Sequence, residues 1–308
     1  PYYRTSAYWA LNENYGLIAS LISLLFLNLY LTKIKIIKLR YIYLLSTILF
    51  SSLSVYFDQK LLIVTMICFF YIVNSNIEIK LRFFVFLTYI LLGLPYLFLI
   101  FEWQGIVPPK TQAANVNTIT NISRLKDFYT YHLGYVSTII GFYIFTFLFL
   151  KDKNFFRIIQ DFFSSKKSIV IVIIPIFYIL YMYLNINFKS FTVDDYWIGL
   201  GIVKKTADIF FSDINNKEIF TYFIFFLSWI VIFLYIEEIT DFLILSFFFL
   251  LSLIIWPLMQ EYFDPIIVLL ILVIFKTKIT INLNNVLFLI FYFSTFLIIA
   301  NIYYLNSV

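Results

Sequence analysis

Apolar residues in this chain come in long, unbroken runs rather than in strict alternation. Stretches such as Phe247-Phe248-Phe249-Leu250-Leu251 lack the polar residue at every second place that a membrane barrel strand needs, so helices are the predicted element. A helix needs about 20 apolar residues to cross about 30 Å of hydrocarbon. The runs predict spans over 16–32, 41–57, 61–73, 83–101, 133–150, 168–186, 218–236, 241–257, 266–275 and 286–305. The runs 61–73 and 266–275 are short for a crossing and are read as tilted, extended by neighbours or re-entrant. The predicted fold is all-α: a polytopic transmembrane helical bundle of about nine or ten spans, forming a single domain over 1–308.

Two long polar intervals, 102–131 and 187–217, break the apolar pattern, with a shorter one at 258–265. Two further stretches carry the pattern of helices lying flat in the membrane interface. In Lys151–Lys167, Phe155-Phe156, Ile158-Ile159 and Phe162-Phe163 alternate with charged positions. In the second long interval, Ile202, Ile209, Phe210 and Phe211 do the same.

Composition agrees with the pattern. Hydrophobic residues make up 63% and charged residues 13% of the chain, where a soluble domain has about half and about a quarter. The single cysteine, Cys68, lies in an apolar run, which excludes an internal disulfide and a cysteine metal site. The chain opens at Pro1 rather than Met, so an upstream segment is expected.

The net charge of +5 belongs to topology rather than to nucleic-acid binding. Placing the 33–40 connection inside, with Lys33, Lys35, Lys38 and Arg40, puts thirteen of the 22 basic residues on the inner side by alternation. Seven of the other nine lie in the two long intervals. These intervals, 102–131 and 187–217, are therefore expected to be extracytoplasmic loops, together with 258–265.

Candidate chemistry follows the loops. Glu102 to Lys110 leaves an apolar helix through Trp103 and Pro108-Pro109, a helix stop with an aromatic anchor. Glu102 and Lys110 there are candidates to line a cavity at the membrane surface, suited to a lipid-linked phosphate. Arg124 and Lys126 follow, and then His132, the only histidine, at the start of a span. An imidazole there binds phosphate or shuttles a proton near neutral pH. With no second histidine, a histidine-pair metal site is excluded.

The second long loop carries Asp194-Asp195, whose adjacent carboxylates are suited to a divalent ion, the one cofactor this reading admits, or to a general base. Its Gly199-Leu200-Gly201 lacks the third glycine and the strand of a dinucleotide site. In 256–265, Glu261 and Asp264 sit among Trp256, Tyr262 and Phe263 at a membrane-edge turn, where ionisable residues read as functional. Glu237, Glu238 and Asp241, on the inner side, read as a solvated turn.

Two short motifs resemble a known family. Phe98-Leu99-Ile100-Phe101 followed by Trp103, Gly105-Ile106-Val107, Lys110 and His132-Leu133 is similar to a segment of polytopic GT-C type glycosyltransferases. The likeness is to the α-1,2-glucosyltransferases that use dolichyl phosphate glucose. Leu258, Glu261-Tyr262-Phe263 and Pro265 resemble that family's later motif. One glycine stands where the family has two, and Gly134-Tyr135 stands where it has Pro-Gln. The resemblance implies a multi-pass protein of the bacterial inner membrane or the endoplasmic reticulum. It implies a polyprenyl-phosphate sugar as donor and a lipid-linked or protein glycan as acceptor.

The reading is a membrane glycosyltransferase working at the outer face among membrane lipids, with no nucleic-acid partner. Lys110, Arg124, Lys126 or His132 would hold the donor phosphate. Glu261 or Asp264, then Asp194 and Asp195, would deprotonate the acceptor hydroxyl. The alternative is a lipid-linked oligosaccharide flippase, a polymerase or another polytopic transporter, which would set ionisable groups at mid-span and break helices in paired positions.

Overall fold

The structure, a computed structural model, describes residues 12–32, 37–75, 77–103, 129–151, 155–165, 167–188, 201–253, 258, 263–277, 279 and 282–306. Among these the fold is all-α, with no strand beyond one isolated bridge between Lys151 and Ile279.

Four helices form a first compact unit: α1 (Asn12–Leu31), α2 (Ile37–Phe57), α3 (Leu62–Asn74) and α4 (Ile79–Trp103). Small hydroxyl residues let them approach. Ser20, Ser23, Thr47, Ser51 and Ser54 are buried, and Ser23, Thr47, Ser51 and Ser54 donate back to carbonyls three or four residues earlier, which satisfies a hydroxyl without a partner helix. Between helices, the Ser51 and Tyr89 hydroxyls are 3.0 Å apart and Thr65 donates to the Ser51 carbonyl at 2.7 Å.

The second unit holds α5 (His132–Leu148), α6 (Phe155–Ser164), α7 (Lys167–Asn185), α8 (Gly201–Phe210), α9 (Ile214–Tyr235), α10 (Ile239–Ser252), α11 (Asp264–Leu269) and α12 (Leu283–Asn306). Helix α5 is its core, with 14 of 17 residues buried. It runs alongside α9 in the same direction. At Gly141 an added Cβ would meet the Ser228 Cβ at 2.9 Å, so the two backbones touch through small residues. At Gly134 an added Cβ would strike the Phe225 ring, itself wedged edge-on against Tyr135 at 4.9 Å. Helix α12 covers another flank of α5 with rings: Phe142 meets Phe296 edge-on at 4.6 Å, and Tyr292 donates to the Phe142 carbonyl at 3.2 Å.

The predicted apolar runs and the observed helices coincide closely, and the two stretches expected as interfacial helices are helical, as α6 and α8. On α6, Phe156 and Phe163 stand exposed seven residues apart, on one face, with Ile158 buried. The run 241–257 ends as a helix at Ser252. The short run near 266 is a helix over Asp264–Leu269 that continues as a π turn over Leu270–Ile274. At about 1.5 Å per residue these two pieces rise about 16 Å, half of a hydrocarbon layer.

Five helices are long and apolar enough to cross a membrane: Asn14–Leu31, Lys38–Phe57, Ile79–Glu102, Ser168–Asn185 and Ile214–Tyr235. Shorter apolar helices lie at Leu62–Asn74, His132–Leu148, Ile239–Ser252 and Asn285–Ile299. In α4 only 6% of the apolar window is buried within the chain, with Phe83, Leu91, Phe98 and Phe101 turned outward. So continuous an apolar face is suited to contact with lipid.

Candidate functional site

Among the residues singled out from the sequence, Lys110, Arg124, Lys126, Asp194, Asp195 and Glu261 lie outside the described residues. Asp264 opens α11 with Pro265 in its first turn, where a missing N–H costs nothing, but its side chain is likewise outside them. His132 is described in full.

His132 begins α5 and is wholly buried. Its Nδ1 lies 2.8 Å from the Ser252 carbonyl, so Nδ1 carries the proton and Nε2 is the lone-pair nitrogen of the neutral ring. Tyr129 stacks on the imidazole at 5.1 Å and Tyr131 meets it edge-on at 4.6 Å. The Tyr129 N–H donates to the Leu253 carbonyl at 2.8 Å, so the segment entering α5 is sewn to the end of α10. Beside it, the Tyr178 hydroxyl accepts from the Gly134 N–H at 2.9 Å and donates to the Thr130 carbonyl at 2.8 Å. That phenol satisfies an N–H of the first turn, which has no partner within its own helix.

The same end of α5 carries a charged group that sequence reading passed over. Gly201 opens α8 at φ +67°, a left-handed conformation natural to glycine, so its role is a helix start rather than nucleotide binding. One turn on, Lys204 donates to Asp208 at 2.9 Å, an i,i+4 pair. From α9, Lys217 donates to the other oxygen of Asp208 at 2.6 Å. Asp213 holds that register by capping α9, accepting from the Asn215 and Asn216 N–H groups at 3.1 Å. These three charged side chains, each roughly a fifth to a quarter exposed, line a cavity of about 30 Å³ with Tyr135, Phe188 and Thr221. The volume admits a water or two. The Lys204–Asp208 spacing was the one sign of it in the sequence.

The opposite end of α5 corrects one expectation. Glu237 and Glu238 are exposed, as a solvated turn requires, but Asp241 is completely buried. Its carboxylate accepts from the Lys276 N–H at 3.2 and 3.4 Å. Close by, Lys151, expected as a simple inner-side charge, has a side chain only 4% exposed. Its ammonium donates to the Leu234 and Tyr235 carbonyls at 3.2 and 3.1 Å, pairs with Glu237 at 2.9 Å and lies 5.7 Å from the Tyr235 ring centre. Those carbonyls end α9 and have no partner within it, so the lysine caps the helix and meets its negative dipole end. The contacts depend on Glu237 and Tyr235 returning beside Lys151, more than eighty residues away in sequence.

Among the described residues, no group of three or more histidine, cysteine or acidic side chains is placed to hold a metal ion. Comparison with family models, curated proteins and solved structures gives no match for this chain.

Proposed function

We propose that the chain is a multi-pass membrane glycosyltransferase of about nine or ten spans that moves a sugar from a polyprenyl-phosphate donor to a lipid-linked or protein acceptor at its outer face. In this reading the loops 102–131 and 187–217 face outward. The donor phosphate rests among Lys110, Arg124 and Lys126, since His132 is buried with its one N–H given to the Ser252 carbonyl, and Glu261 or Asp264, with Asp194 and Asp195 as alternates, takes the acceptor proton.

The observation that carries it is the group Lys204–Asp208–Lys217 in the second of those loops. Two ammonium groups on one carboxylate leave one positive charge in excess beside an aromatic cavity. At a membrane edge that excess attracts a phosphate anion, and ammonium–phosphate hydrogen bonds are among the stronger ones.

The test is sugar transfer by the complete open reading frame in membrane vesicles, supplied with labelled polyprenyl-phosphate sugars and a lipid acceptor. Glu261→Gln and Asp264→Asn are expected to lower kcat, and the pair Lys204→Met with Lys217→Met to raise KM for the donor. A lack of transfer from every donor would end the proposal.

A second reading is a carrier for lipid-linked glycans, favoured by buried Lys151 and Asp241, since ionisable groups inside membrane bundles mark ion pathways. Movement of a labelled lipid-linked glycan across vesicles, without transfer, would establish it.

A further inference from the structure

Helices α2 and α4 open on the same residues. Ile37-Lys38-Leu39-Arg40-Tyr41 begins α2 and Ile79-Lys80-Leu81-Arg82-Phe83 begins α4, an internal repeat of Ile-Lys-Leu-Arg followed by an aromatic ring. The likeness extends along each helix. Ile42, Leu45 and Leu49 stand four, seven and eleven residues beyond Lys38, and all three are exposed. Phe84, Leu87 and Leu91 stand at the same distances beyond Lys80 and are exposed too. Those spacings keep each lysine and the apolar residues after it on one helix face. Each face thus carries an ammonium at the head of an apolar track of about 16 Å, half of a hydrocarbon layer.

The first unit brings the two copies together. Helices α2 and α4 run parallel: the Ser51 and Tyr89 hydroxyls are 3.0 Å apart, and Tyr56 donates to the Leu92 carbonyl. That register sets Lys38 and Lys80 within about one turn of the same level. The residues leading into the copies meet as well, with the Tyr30 and Ser75 hydroxyls 3.2 Å apart. The Arg40 guanidinium lies 5.2 Å from the centre of the buried Tyr30 ring. A guanidinium held over a ring still has its N–H edge for a bidentate acceptor.

Lys38, Arg40, Lys80 and Arg82 are all exposed, and among the described residues no carboxylate lies within ion-pair distance of them. The intervals 32–46 and 74–88 hold six basic residues and one acid, Glu78. Nor do the cations serve their own helices, since they stand in the first turn, where the dipole favours acids. We propose that this end of the first unit is a docking surface for anionic phospholipids. Lys38, Arg40, Lys80 and Arg82 take the headgroup phosphates, and acyl chains lie along the two apolar tracks. A soluble anion matches the charges and leaves the tracks uncovered, whereas bare hydrocarbon covers the tracks and leaves the charges unmet. A phospholipid answers both, and basic clusters at the ends of spans attract anionic headgroups. The surface rests on α2 and α4 lying in a bilayer and does not depend on the sugar-transfer reading.

The test is the lipid selectivity of the full chain in bilayers, read by electron spin resonance from spin-labelled lipids held at the protein surface. Labelled phosphatidylglycerol is expected to outcompete labelled phosphatidylcholine about threefold or more, with the margin shrinking at high salt. Lys38→Gln with Arg40→Gln, and Lys80→Gln with Arg82→Gln, should each remove at least half of that preference. Lys166→Gln with Lys167→Gln removes as much charge elsewhere and should leave most of it. No preference in the unaltered chain, an unchanged preference in either motif variant, or an equal loss in the Lys166 and Lys167 variant would each overturn the proposal. Displacement of phosphatidylglycerol by inorganic phosphate at constant ionic strength would assign the surface to a soluble anion and overturn it as well. Because the readout is lipid contact, a failure of sugar transfer leaves the result untouched.

Discussion

The two ends of α5 use the same chemistry in opposite environments. Near its start, Lys204 and Lys217 share Asp208 with all three side chains partly open to solvent. Beyond its end, Lys151 meets Glu237 and two helix-end carbonyls with its own side chain almost sealed. An ion pair that still meets solvent keeps part of its hydration and gains correspondingly little. A buried ammonium has lost its water and depends on every acceptor it has found. The ion pairs at the two ends of α5 thus divide into one where charge still meets solvent and one where charge is structural.

The largest way to break that contrast is Lys151→Met. It preserves most of the side-chain volume but strips the Leu234 and Tyr235 carbonyls of their partner. A loss of about 3 kcal/mol is expected, read from denaturant unfolding in detergent, with little response to salt. A loss below about 1 kcal/mol would place the lysine with the pairs that still meet solvent.

Gly134→Val attacks the packing that joins the ends. Its side chain must displace the buried Phe225 ring, and a loss of about 1–3 kcal/mol is expected in the same measurement. Relief of much of that loss by Phe225→Leu in the double variant would confirm the clash as the cause. Asp213→Ala removes the cap that sets Lys217 and should cost about 1 kcal/mol.

The smallest effect on stability sharpens the comparison most. Asp208→Asn weakens a partly buried pairing that still meets solvent, so a change of about 1 kcal/mol or less is expected, falling further at high salt. It also frees two ammonium groups, so binding of anionic polyprenyl-phosphate vesicles should strengthen. Weaker binding would show that the carboxylate itself serves the ligand.

Much of the helix pattern was legible in advance. An apolar run of about 20 residues has few other fates. The short helices α6 and α8 were legible too, since a charge repeated at helical spacing among apolar residues marks two distinct faces. Orientation within the bundle was not. Helices α4 and α5 are both apolar nearly all round, yet one turns outward along most of its length and the other is engulfed. Lipid is as apolar as a leucine-rich core, so hydrophobic periodicity vanishes. What separates them is small residues: Gly134, Ser137, Thr138 and Gly141 in α5 permit close neighbours, whereas α4 offers Thr88 and Gly93, and a Cβ at Gly93 would meet open space.

The charged clusters divide in the same way. Lys204 and Asp208 are four residues apart on one helix, and their pairing follows from local geometry alone. Lys217 reaches the same carboxylate because Asp213 starts α9 where it does. Nothing local distinguishes Asp241 from its exposed neighbours Glu237 and Glu238. Its burial depends on Lys276 and Thr277 returning to it from some 35 residues further along the chain.

The sequence alone determined that the chain is all-helical, with helices long and apolar enough to cross a membrane, because apolar run length acts through local chemistry. Tertiary structure alone decided which helix became the core, which acid was taken from water, and which lysine became a helix cap. Those outcomes rest on close approach between distant segments, and in a chain this uniformly apolar no residue announces its neighbour in advance.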